Sequence, residues 1–226
     1  MNALGIDTSG TAFTVAVKKD TATIITRYDI GMKQSEMLVP AIDAALSQLQ
    51  IPPPSLDYIA LAAGPGSFTG LRLAFAAAKA LSLAHRIPVY AVPTLELYAF
   101  PYRRMSRAVA PIIDAKKETW YAALFDGQKS LLPQGDYTTV ALVDAFTKTE
   151  KPIFLCGPDA GAFFEKPEIA SLAEKIRCVA TEPAPATALF ALAEEQITAA
   201  TPALSPYDGP LYIRLSEAEE KRRANG

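Results

Sequence analysis

Histidine is almost absent from this chain: His85 stands alone among 226 residues. That scarcity excludes a zinc site built on paired histidines, and it excludes a Ser–His–Asp triad unless His85 itself serves. His85 closes an alanine- and leucine-rich run, where an imidazole complements the carbonyl end of a helix dipole. Cysteine is nearly as scarce. Cys156 and Cys178 form no CxxC pair and no disulfide framework, which suits a reducing cytoplasm. An excess of either charge is also missing. Lys and Arg number 22 against 24 Asp and Glu, so the chain as a whole is not a stand-alone nucleic-acid binder. No apolar run is long enough to span a bilayer: the longest, Leu71 to Ala84, is interrupted by Arg72, Lys79 and Ser82. The opening "MNALGIDTSG" lacks a basic segment, and Asp7 breaks its apolar run, so no signal peptide is expected.

What is present is an ordinary globular composition, half hydrophobic and one fifth charged, with length for one large domain or two small ones. "NALGIDTS", "AFTVAVKK" and "ATIITRYD" read as three strands joined by short turns, an antiparallel meander. "QSEMLVPAIDAALSQLQ" has helical spacing, with Leu38, Ile42, Ala45 and Leu49 on one side; Pro40 either begins its regular part or kinks it. "LDYIALAAG" reads as a buried strand, "TGLRLAFAAAKALSLAH" as a second helix, "IPVYAVP" as a strand and "TLELYAFPY" as a short helix.

A comparable order restarts after "RRMSR". "AVAPIIDAKK", "TWYAALFD" and "KSLLPQGDY" read as strands, "TVALVDAFTK" as a helix, "KPIFLCG" as a strand and "PATALFALAEEQITAA" as a long helix. Each half opens on a strand ending in Ile-Asp, so Asp7 and Asp114 occupy equivalent points. This predicts an internally duplicated α/β protein of the actin/hexokinase/Hsp70 class, with lobes at residues 1–104 and 105–226. The tail "EAEEKRR" reads as a solvated helix end or a frayed terminus, with Lys221, Arg222 and Arg223 too small a footprint for nucleic acid.

The loop "GPGSFTG" does not fit a Walker A motif, because no Lys-Ser or Lys-Thr follows, and it is one residue off the dinucleotide fingerprint. Two readings stand. Backbone N–H groups from Ser67 to Gly70 could hold an anion. Alternatively, Gly64, Gly66 and Gly70 make a tight strand-to-helix turn that Ser67 or Thr69 caps. Asp7 with Thr8 and Ser9, and Asp114, mark where the actin-like class faces metal–nucleotide phosphates. A transfer site also needs cations, and only Lys116 and Lys117 are near in sequence. A vestigial nucleotide or anion site at Asp7, Thr8, Ser9, Gly66, Ser67 and Asp114 is the expectation, with no metal.

The helix after that loop carries charge only at Arg72 and Lys79, seven residues apart on one narrow line. Leu73, Ala76, Ala77 and Ala80 extend past the face its own sheet can cover. Small side chains there let another helix approach closely.

"LGIDTS", "QSEMLVPAID", "GPGSFTGLRLAFAAAKALSLA", "IDAKKETWYAALF" and "PLYIR" together resemble the bacterial TsaB (YeaZ) family over nearly the whole chain. The resemblance implies an actin-like ATPase (ribonuclease H-like) fold in two lobes, each a mixed sheet flanked by helices. It implies a non-catalytic, cytoplasmic subunit that supports TsaD, the metal-dependent enzyme transferring threonylcarbamoyl to N6 of adenosine 37 in tRNA. An ATPase, TsaE, joins that complex. Homodimerisation in isolation, tRNA contact only through the complex, and weak ATP or ADP binding at the partner contact follow from it, with no cofactor required. The resemblance places the partner contact on the first two helices, carried over here as Gln34, Met37, Leu38, Ala41, Leu73, Ala76, Ala77 and Ala80. TsaD-type enzymes hold metal with His-x-x-x-His on the matching first helix; here Gln34 and Leu38 stand at that spacing. The alternatives are a stand-alone actin-fold ATPase or kinase, resting on Asp7, Asp114 and the glycine loop, and a glycoprotease-like metallopeptidase, which the single histidine opposes.

Overall fold

The computed structural model describes residues 1–180 and 186–214; the basic tail lies outside the described residues. Two five-stranded sheets organise the chain. The first is built from β1 (Asn2–Asp7), β2 (Phe13–Lys19), β3 (Ala22–Tyr28), β4 (Tyr58–Gly64) and β5 (Val89–Pro93) in the order β3-β2-β1-β4-β5. β1, β2 and β3 pair antiparallel through short turns, as the alternating sequence requires. β4 and β5 add in parallel and return through helices. The second sheet uses β6 (Ala108–Lys116), β7 (Thr119–Asp126), β8 (Lys129–Thr138), β9 (Ile153–Cys156) and β10 (Ile176–Ala180) in the order β10-β9-β6-β7-β8. Read from its meander outward, that is the same topology, so the expected duplication extends to the full strand order. β8 tolerates Pro133 because it is an edge strand, where one missing N–H leaves no partner wanting.

The helices are α1 (Gln34–Gln48), α2 (Phe68–His85), α3 (Thr94–Ala99), α4 (Thr139–Lys148), α5 (Ala160–Phe164) and α6 (Ala186–Thr198). α1 begins before Pro40 and runs through it, so the proline neither starts the helix nor ends it. α5 and β10 escape a reading by periodicity because each is only five residues long.

The compact units do not follow a single cut at 104/105. One holds Met1–Pro101 with Ala184–Pro210, the other Tyr102–Pro183 with Leu211–Gly226. α6, expected in the second lobe, packs on β1, β2, β4 and β5 of the first. The reason is a sheet face made of small residues. Ala3, Ala16, Ala60 and Ala62 are fully buried there and leave room for Leu189, Phe190 and Ala193 of α6. The phenyl ring of Phe190 meets the Tyr58 ring edge-on, 6.4 Å between centroids. The Tyr58 hydroxyl donates to Glu194 at 2.8 Å, and Lys18 pairs with the same carboxylate at 2.5 Å. Burial of the phenol and its bond to the Glu194 carboxylate push the Tyr58 pKa well above its ordinary value. Alternate strand residues, Leu4, Ile6, Val15, Val17, Ile59 and Leu61, are also fully buried and point the other way, towards α1 and α2.

The second unit closes its own core. Trp120, Leu142, Phe146, Phe163 and Ile169 are buried together, with the Trp120 and Phe163 rings 5.2 Å apart edge-to-face. The Trp120 indole donates to Thr139 Oγ1 at 3.0 Å, which satisfies its one polar atom.

Candidate functional site: the strand-end turns and the α1–α2 face

Asp7 lies at the end of β1, and its carboxylate is already engaged. Oδ1 accepts from the Ser9 backbone N–H at 2.9 Å and from the Ser9 hydroxyl at 2.6 Å. The chain after β4 returns to this turn. The Ser67 N–H donates to the Ser9 carbonyl at 2.7 Å, and Ser67 Oγ caps α2 by accepting from the Gly70 N–H at 3.2 Å. The strand-to-helix turn with Ser67 as its cap is present as expected. Gly66 and Gly70 are required by closeness: a Cβ on Gly66 would stand 2.4 Å from the Ser9 carbonyl oxygen, and one on Gly70 would stand 2.1 Å from that of Thr8. The structure therefore brings Asp7, Thr8, Ser9, Gly66 and Ser67 together, but two of the N–H groups at the α2 entrance point at protein. Thr8 Oγ1, fully buried, has no partner.

Gln34 completes this cluster. It is 9% exposed; its Nε2 donates to the Thr11 carbonyl at 2.8 Å, and its Oε1 lies beside Gly70. The side chain ties the start of α1 to the β1–β2 turn and the start of α2.

Asp114 belongs to the second unit and repeats the local chemistry of Asp7. Its Oδ1 accepts from the backbone N–H two residues on, Lys116, at 2.7 Å, and its Oδ2 pairs with the Lys116 ammonium at 2.6 Å. Its own N–H donates to Asp159 at 2.8 Å. Burial opposes the Asp114 charge, yet the Lys116 bonds outweigh it and hold the carboxyl below its ordinary pKa. Lys116, Lys117 and Glu118 all have positive φ, near 60°, in the β6–β7 turn. Among the described residues, no three His, Cys, Asp or Glu side chains gather into a metal-binding group.

The α1–α2 face needs correction at three of its eight expected residues. Gln34, Leu38 and Ala41 are buried in their own unit, at 9%, 2% and 2% exposure, and offer a partner little surface. Leu38 already fell on the core stripe with Ile42 and Ala45, so the helical phase was a sufficient signal. Met37 is exposed, as are Ala76 and Ala80, while Leu73 and Ala77 are half-buried. The exposed stripe of α2 also includes residues the spacing argument passed over: Leu83 at 72% and Phe68 at 38% exposure. α1 and α2 pack on one another. The charges of α2 are drawn to its flanks. The Arg72 guanidinium stacks 3.8 Å from the centre of the Phe68 ring, and Lys79 donates to the Pro206 carbonyl at 2.7 Å and to that of Asp208. His85 is the last residue of α2, where its charge would complement the helix dipole. Beside the Arg72–Phe68 stack, the exposed stripe of α2 is made of small and aliphatic groups, which suits a contact site.

A family model described as TsaD: tRNA N6-adenosine threonylcarbamoyltransferase matches residues 30–219. The tRNA threonylcarbamoyladenosine biosynthesis protein TsaB of Bacillus subtilis is 28% identical over 229 residues, covering 98% of this chain and 97% of its own. TsaB of Escherichia coli K12 is 28% identical over 145 residues, 63% of this chain and 62% of its own. Among solved structures, a Pseudomonas aeruginosa protein with similarity to peptidase YEAZ superposes with a TM-score of 0.78 at 22% identity, covering 94% of this chain and 99% of that one. The ethanolamine utilization protein EutJ of Carboxydothermus hydrogenoformans gives a TM-score of 0.51 at 14% identity, covering 84% and 88%. The two structural likenesses show the fold.

Proposed function

Because the chain belongs to the TsaB (YeaZ) branch of the TsaD family, we propose that it serves the formation of N6-threonylcarbamoyladenosine in tRNA as a non-catalytic subunit. In this reading it binds and supports a TsaD-type partner. The observation that carries the reading is the largely aliphatic stripe of α2, where Ala76, Ala80 and Leu83 stand open to solvent, with Met37 of α1 also exposed. An exposed aliphatic surface of this kind is stabilised by being covered. Two further observations support it. Both strand-end aspartates are held by their own i+2 residues. At the spacing of the family's metal-binding histidines, Gln34 is fastened to a backbone carbonyl and Leu38 is core. The residues present do not fit that metal.

The reading needs no cofactor held by this chain; weak ATP or ADP binding belongs to the partner contact, TsaE-type ATPase joins through the complex, and tRNA is met only there. The protein is taken to work in the cytoplasm; among the described residues no helix is long and apolar enough to cross a membrane.

Gel filtration of the purified protein with a TsaD-type subunit tests it. A heterodimer is expected, and Ala77→Arg or Ala80→Glu should abolish it. Unchanged association in both variants removes the proposed face. Depletion in the cell followed by mass spectrometry of tRNA nucleosides tests the function; unchanged threonylcarbamoyladenosine would remove it.

A further inference from the structure

After α6 the chain crosses the edge of the first sheet, where the Leu204 N–H donates to the Val89 carbonyl of β5 at 2.7 Å. It then makes a tight turn over Ser205–Asp208. The turn is closed three times: Asp208 N–H to the Ser205 carbonyl at 3.1 Å, Ser205 N–H to the Asp208 carboxylate at 2.7 Å, and Tyr207 N–H to Ser205 Oγ at 3.3 Å. Lys79 of α2 fastens it from below through the Pro206 and Asp208 carbonyls. Leu204, Ser205 and Pro206 share a small cavity with Lys79, Ser82 and Leu83, so the turn abuts the C-terminal half of α2 along its exposed stripe.

At the tip of this well-bonded turn the Tyr207 side chain is 96% exposed. The ring finds almost no packing in its own unit, although the backbone beneath it is fixed. A tyrosine carries a large contact area and loses little rotamer freedom when covered. A turn already held in shape lowers the ordering cost of binding.

We infer that the Ser205–Asp208 turn is a prebuilt part of the partner-binding surface, with Tyr207 as its anchor and a TsaD-type subunit as its occupant. This rests on the reading of the α1–α2 face given above, with which the turn is continuous through Leu83. Lys79 has a double role: its ammonium is drawn by the turn carbonyls to the edge of the α2 stripe, and the same bonds hold the backbone beneath Tyr207.

Titration calorimetry of the full chain against a purified TsaD-type subunit tests the inference, with Tyr207→Ala, Tyr207→Phe and Ala80→Glu compared. Tyr207→Ala is expected to weaken binding by about tenfold or more, the scale of an aromatic anchor. Tyr207→Phe should keep most of the affinity, and neither change should move the melting temperature. If Ala80→Glu abolishes binding while Tyr207→Ala leaves it unchanged, the turn is overturned and the α1–α2 reading stands. If neither variant alters binding, the α1–α2 reading fails and this inference fails with it. A Tyr207→Ala effect confined to self-association also overturns it.

Discussion

The two units have the same sheet topology and differ in the helix that follows the fourth strand of each. In each, a three-stranded meander leads into two parallel strands. In each, an aspartate at or within two residues of the end of the first strand has an Oδ1 that accepts the N–H two residues on. In each, the fourth strand runs into Gly-Pro, and Gly64 and Gly157 have φ of 108° and 102°, a conformation that favours glycine. Beyond that point the units part. "GPGSFTGLRLAFAAAKALSLAH" caps with Ser67 and runs for 18 residues as α2. "GPDAGAFFEKP" gives only the five-residue α5, because the carboxylate of Asp159 is committed to Asp114 and Pro167 follows soon after. The comparison teaches that strand-end geometry is fixed by the sheet, whereas the helix after it is free to change. The first unit turned that freedom into an exposed small-residue face. The second packed Phe163 of its short helix into a closed core with Trp120 and Phe146.

The largest test of that contrast is at α6. Phe190→Ala should cost about 3–5 kcal/mol. Hydrogen exchange should show lost protection in β1 and β4 and unchanged protection in β6 and β9, and Phe163→Ala should do the reverse. Equal loss in both units after either change would break the division. A middle-sized effect is expected at the paired turns. Gly70→Ala and Gly157→Ala each bring a Cβ against a carbonyl oxygen, at 2.1 Å and 2.6 Å. Each should cost about 1–3 kcal/mol in denaturant melts, but only Gly70→Ala should weaken partner binding, since only that turn launches an exposed helix.

The smallest effect is electrostatic and confined to the first unit. Burial, then the nearby Glu195 carboxylate, raises the Glu96 pKa above its ordinary value. A carboxyl whose pKa is higher folded than unfolded destabilises the fold while charged. That cost disappears as pH falls through the raised folded value to the unfolded one. Glu96→Gln should therefore raise stability at pH 7 by on the order of 1 kcal/mol or less. The gain should shrink in thermal melts taken at falling pH; a gain constant with pH would reject the cause.

Much of the fold is legible locally. The alternation of "FTVAVKK", the helical stripe of Leu38, Ile42 and Ala45, and the cap at Ser67 each act over a few residues. They yield the element order and the equivalence of Asp7 and Asp114. The open α2 stripe at Ala76 and Ala80 is legible too, since only two charges interrupt it. The burial of Gln34 is less so, because a glutamine opening a helix reads as solvent-facing until the Thr11 carbonyl is known to be within its reach. Lys79 reads as a polar edge, and its partners are more than a hundred residues away in sequence.

The sequence by itself determined all the strands and helices but β10 and α5, the Ser67 cap and the duplicated Asp7 and Asp114 turns, because those depend on periodicity and on hydrogen bonds between near neighbours. Only the tertiary structure decided that α6 covers the first sheet and that Tyr207 stands beside α2. Burial of apolar surface has no direction and no sequence range. Which sheet a helix covers is settled by the alanine floor that fits it, and which turn a lysine holds is settled by the carbonyls that reach it.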